Sequence, residues 1–92
     1  MDELEQREVC FRGMVQGVGF RYSTRRLAAH YDVTGYVQNL PDGRVRLVAE
    51  GRPAEIDRLV NAVKAEMEQY IDDVEVTVRP AGGQFHGFDI RF

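Results

Sequence analysis

A chain of 92 residues with 43% hydrophobic and 29% charged side chains has the make-up of one globular domain, too short for a second core and too apolar for a disordered segment. Twelve basic against fifteen acidic side chains give a net charge of −3, which excludes an overall positive field for gathering nucleic acid, and a single cysteine, Cys10, excludes an internal disulfide or a thiolate zinc cluster. No apolar run approaches the roughly 18 residues of a membrane span and the acidic start MDELEQRE is unlike a signal peptide, so a cytoplasmic protein with no membrane partner is expected.

In chain order, residues 1–7 read as a flexible N-terminal segment. From Glu8 to Val15, Val9, Phe11, Gly13 and Val15 alternate with Glu8, Cys10, Arg12 and Met14, the period of a half-buried strand. Gln16 to Gly19 brings two glycines, after which Thr24, Leu27, Ala28 and Tyr31 hold helical spacing and predict a helix from about Arg21 to Tyr31. Val33 to Leu40 and Arg44 to Gly51 are strand-like, and Pro41, Asp42 and Gly43 between them form a hairpin turn. Pro53 opens a second helix whose Ile56, Leu59, Val60, Val63, Met67 and Tyr70 keep helical spacing. Val74, Val76 and Val78 alternate in a further strand, broken by Pro80 to Gly83, and Phe88, Ile90 and Phe92 make a short last one.

The order predicts one α+β domain over residues 1–92. It is a ferredoxin-like sandwich, β-α-β-β-α-β with a short extra C-terminal strand, whose antiparallel sheet carries two helices on one face. A right-handed β-α-β crossover followed by a hairpin sets the first two strands parallel with the third between them, so their C-terminal ends share one rim.

At that rim the first four amides of the first helix lack internal acceptors, and the helix dipole adds partial positive charge. Gly17 and Gly19 let the backbone curl so that successive N–H groups of the loop point into one hollow. Arg21 stands in the helix's first turn, where a cation is unfavourable by roughly 0.3 to 1 kcal/mol unless an anion compensates. Its planar fork suits two phosphate oxygens, although an ordinary solvated arginine fits the same spacing. Asn39, with the parity of Val33, Gly35 and Val37, points towards that helix start from two strand spacings away, roughly 10 Å at the backbone; a turn asparagine capping its own backbone is the alternative.

Gly13 to Arg21, GMVQGVGFR, resembles the signature of the acylphosphatase family, and Gly35 to Asn39, GYVQN, resembles its second motif. Tyr22 to Ala28, the PDG hairpin, the GRP entry to the second helix and the ending GFDIRF are similar to that family too, so the likeness runs from about Val9 to the end. The resemblance implies hydrolysis of the carboxyl-phosphate bond of acyl phosphates to carboxylate and inorganic phosphate, with Arg21 as the phosphate-binding arginine, Asn39 as the water-positioning asparagine and the amides of Gln16 to Phe20 as the phosphate cradle.

No cofactor is expected. His30 and His86 stand outside any metal-ligand spacing, so a catalytic metal is not expected either. Cys10 shares the parity of Arg12 and Met14, away from the helices, and reads as structural. The rivals are an anion-sensing module or a carbamoyl phosphate domain using the same cradle, and an RNA-recognition motif. The last needs stacking aromatics where Cys10, Arg12, Met14, Arg44, Arg46 and Val48 stand. A monomer is the default expectation.

Overall fold

The computed structural model describes residues 3–92. Strand β1 (Glu5–Gly13) is followed by helix α1 (Phe20–Ala28), strands β2 (Val33–Asn39) and β3 (Val45–Gly51), helix α2 (Pro53–Glu66), a 3₁₀ turn (Glu68–Tyr70), and strands β4 (Ile71–Pro80) and β5 (Phe88–Arg91). They form one sheet in the order β4-β1-β3-β2-β5. β3 runs antiparallel to both β1 and β2, as the crossover requires, and β1 antiparallel to β4. The sheet is not wholly antiparallel, however, because β5 joins β2 in parallel, Gly35 opposite Phe88 and Val37 opposite Ile90.

Alternation along the strands sends Val9, Phe11, Val37, Val45, Leu47 and Ala49 to one face, where all six are fully buried against Phe20 and Ala28 of α1 and Ile56, Leu59, Val60 and Val63 of α2. Each such valine, leucine, isoleucine or phenylalanine side chain stabilises the fold by roughly 1.5 to 3 kcal/mol through burial. Gly35 is demanded by close approach: at φ +143 a Cβ there would sit 1.9 Å from the Val48 carbonyl oxygen.

Element ends depart from the periodicity for local reasons. β1 starts at Glu5, so Glu5 to Arg7 are not the flexible segment expected; Met1 and Asp2 lie outside the described residues. Glu5 pairs with Gly51 on one side and Pro80 on the other, the Gln6 amide donates to Glu50 at 2.7 Å, and Arg7 bridges Glu5 and Asp57. α1 stops at Ala28 instead of Tyr31, because the amides of His30 and Tyr31 turn back to Leu27 and Ala28 at 3.0 and 3.1 Å, three residues earlier. Tyr31 still packs against the core, which is why its spacing looked helical. α2 likewise ends at Glu66, and Tyr70 reaches the core from the 3₁₀ turn.

Candidate active site

The parallel setting of β1 and β2 brings the loop after β1 beside the hairpin after β2. Between them lies a hollow of about 120 Å³ lined by Val15, Gly17, Gly19, Phe20, Arg21, Tyr22 and Asn39. Gly17 and Gly19 have φ of 78° and 80°, left-handed values that most side chains resist, while a Cβ at either would meet nothing within 4 Å. Backbone conformation alone therefore calls for glycine. Gly19 is the N-cap of α1, with no side-chain cap and no acid in the first turn, so the leading amides stay available to an outside acceptor.

The helix start is anchored from within. Phe20 is 2% exposed, with its ring 5.0 Å from that of Phe11, and the Thr24 hydroxyl donates to the Phe20 carbonyl at 2.9 Å. Arg21, one residue on, is half-buried. Its Nη1 donates to the Arg91 carbonyl at 3.3 Å and its guanidinium lies 4.8 Å from the centroid of the Phe92 ring. A carbonyl and an aromatic face thus offset part of the cost of a cation at this helix end, the role given to an anion alone in the sequence argument. Asn39, half-buried at the end of β2, lines the same hollow.

Two predicted cradle residues contribute no side chain to the hollow. Gln16 turns outward, and its Nε2 donates to the carbonyls of Leu40 and Arg44 at 2.8 and 3.0 Å, lacing the loop to the base of the hairpin. Val18 packs against the core. Val15 and Tyr22 join the lining unforeseen. So do the Arg91 carbonyl and the Phe92 ring as partners of Arg21, and only the likeness of GFDIRF to the family pointed at that end of the chain. Larger hollows of about 260 Å³ beside Glu50 and about 310 Å³ beside Arg12 and Arg44 lack this convergence of glycine amides, guanidinium and carboxamide. Burial pushes the Cys10 thiol pKa up, against a nucleophilic role.

Residues 7–90 match the sequence pattern of the family described as Acylphosphatase. The chain belongs to the acylphosphatase family. It is 45% identical over 80 residues to the acylphosphatase of Rubrobacter xylanophilus, spanning 86% of this chain and 73% of that one. With the acylphosphatase of Aeropyrum pernix the identity is 37% over 93 residues, 99% of this chain and 92% of its relative. The crystal structure of acylphosphatase from Bacillus subtilis superposes with a TM-score of 0.86 at 33% identity, covering 96% of this chain and 99% of that chain. As an acylphosphatase, the chain is a hydrolase of acyl phosphates with a ferredoxin-like fold. No helix among the described residues is long and apolar enough to cross a membrane.

Proposed function

We propose that Arg21 and the loop amides of Gln16 to Phe20 hold the phosphoryl group of a small acyl phosphate, and that Asn39 holds the attacking water. The observation that carries this reading is the convergence of Gly17, Gly19, Arg21 and Asn39 on one hollow at the rim shared by β1 and β2. Phosphoryl transfer passes through a loose transition state with charge on the equatorial oxygens, and alignment with preorganised donors supplies most of its catalysis. The guanidinium fork and the amides are such donors. The leaving carboxylate, whose acid has a pKa of about 4, departs without a general acid. Asn39 cannot act as a base; its carboxamide oxygen accepts a hydrogen bond from water held in line, and the proton passes to the substrate's own phosphate.

The chemistry so described calls on no metal and no cofactor. Every group it uses comes from one chain, so a single copy suffices, and the cytoplasm remains the proposed location on the strength of the lone cysteine. Phosphate release from benzoyl phosphate, measured with a chelator present, tests the reading. Wild type should turn over and Arg21→Ala should lose both turnover and inhibition by inorganic phosphate. Saturable binding without turnover would instead make the chain an anion-binding module, and loss of activity with the chelator would contradict metal independence.

A further inference from the structure

The hollow at the rim shared by β1 and β2 holds about 120 Å³, well below the roughly 300 to 1,000 Å³ of a cleft that encloses a whole organic ligand. On the reading proposed above it receives the phosphoryl group, so the acyl group joined to that phosphate lies at the mouth. The wall has few side chains to offer there. Val15 and Phe20 are 0% and 2% exposed, Gly17 and Gly19 carry no side chain, and the same reading gives Arg21 to the phosphate and Asn39 to the water. Tyr22 remains, and it is 69% exposed.

Packing does not account for that ring. Phe20, Thr24 and Ala28 form the buried stripe of α1, and Tyr22, two residues past Phe20, stands about 200° around the helix from it. Among the described residues no other ring and no cation stacks on Tyr22, whereas the ring of Phe92, the other exposed aromatic near Arg21, is taken up by the guanidinium. A lone exposed tyrosine elsewhere on a surface needs no explanation. This one forms part of the wall of a hollow too small for a whole substrate, with its faces open to an incoming group. We propose that Tyr22 is a specificity-determining residue, whose ring packs against the acyl group of the bound acyl phosphate and favours aromatic acyl groups over small aliphatic ones. The inference rests on the phosphate-binding reading of the same hollow. The acyl side chain takes no part in bond breaking, so its contact with Tyr22 is as strong in the ground state as in the transition state and acts on KM, not on kcat.

Steady-state hydrolysis of benzoyl phosphate and of acetyl phosphate, compared in wild type, Tyr22→Ala and Tyr22→Phe, tests this. The two substrates differ in intrinsic reactivity, so the readout is the change in the ratio of their kcat/KM values on substitution, from which that difference cancels. Tyr22→Ala should lower the benzoyl-to-acetyl ratio roughly two- to tenfold, through a raised KM for benzoyl phosphate. Tyr22→Phe keeps the ring and should hold the ratio within about twofold of wild type. Alanine suits an exposed helical position, and any loss of folded enzyme divides out of the ratio. A ratio unmoved by Tyr22→Ala, a shift carried by kcat, or an equal shift in Tyr22→Phe overturns the inference, while turnover of both substrates leaves the reading of the hollow standing. A wild type that turns over neither substrate removes that reading, and this inference with it.

Discussion

The guanidinium of Arg21 lies over the ring of Phe92, 4.8 Å from its centroid, although the two are far apart in the chain. The Arg91 carbonyl accepts from the same side chain at 3.3 Å, so β5 and the residue after it orient the guanidinium proposed to bind the phosphoryl group. An exposed stack of this kind is worth roughly 0.5 to 1 kcal/mol. Phe92→Ala should therefore raise KM for benzoyl phosphate roughly two- to fivefold while kcat changes less. Steady-state kinetics decide it, and an unmoved KM would show that the ring does not orient Arg21.

Asn39→Ala removes the acceptor assigned to the attacking water and leaves the cradle intact. Single-donor losses at other active sites cost about 2.7 to 4 kcal/mol, so turnover should fall ~100- to 1,000-fold. Competitive inhibition by inorganic phosphate should persist. Loss of phosphate affinity with turnover preserved would contradict the assignment.

Gln16 is exposed, yet its side chain spans the gap between the loop and the carbonyls of Leu40 and Arg44, next to Asn39. Cutting that lace lets the loop amides and the Asn39 carboxamide, in their proposed roles, drift relative to one another, and a displacement of about 1 Å can cost up to ~100-fold in rate. Gln16→Ala should lower kcat by ten- to a hundredfold on the same scale. The amides themselves remain, so phosphate inhibition should weaken far less, a split that separates positioning from general unfolding.

Glu50 is 5% exposed, and its carboxylate accepts from the Gln6 amide and from the backbone N–H groups of Gly82 and Gly83 at 2.7, 2.8 and 3.0 Å. Burial by itself raises its pKa, but the bonds from Gly82, Gln6 and Gly83 outweigh that and hold it below the ordinary 4.5. A depressed folded pKa means that the contribution is present above the unfolded value and fades as pH falls through the folded one. Glu50→Gln should thus destabilise the protein at pH 7 by about 1 to 3 kcal/mol in urea unfolding, with the gap to wild type narrowing as acid moves below pH ~4. An equal gap at both pH values would rule out the charged clamp.

Much of the fold was legible because strand and helix periods are local properties. Val9 and Phe11, Val45 and Leu47, and Ile56, Leu59 and Val63 announce their buried faces through spacing alone, and all are fully buried. The ends of elements were less legible. Tyr31 and Tyr70 keep helical spacing but reach the core from tight turns, since spacing records which face a residue serves and not the backbone that brings it there. Glu5 to Arg7 look like a polar terminus because their partners, Gly51, Pro80, Glu50 and Asp57, lie far along the chain.

By itself the sequence determined which residues the proposed anion cradle draws on: two glycines before a helix start without an acid, an arginine after it, and an asparagine of matching parity. Only the tertiary structure decided what holds them. The Arg91 carbonyl and Phe92 ring beneath Arg21, the outward turn of Gln16 and the parallel seating of β5 on β2 are contacts between distant segments. Local spacing carries no record of such contacts, because they depend on the order in which strands assemble into the sheet.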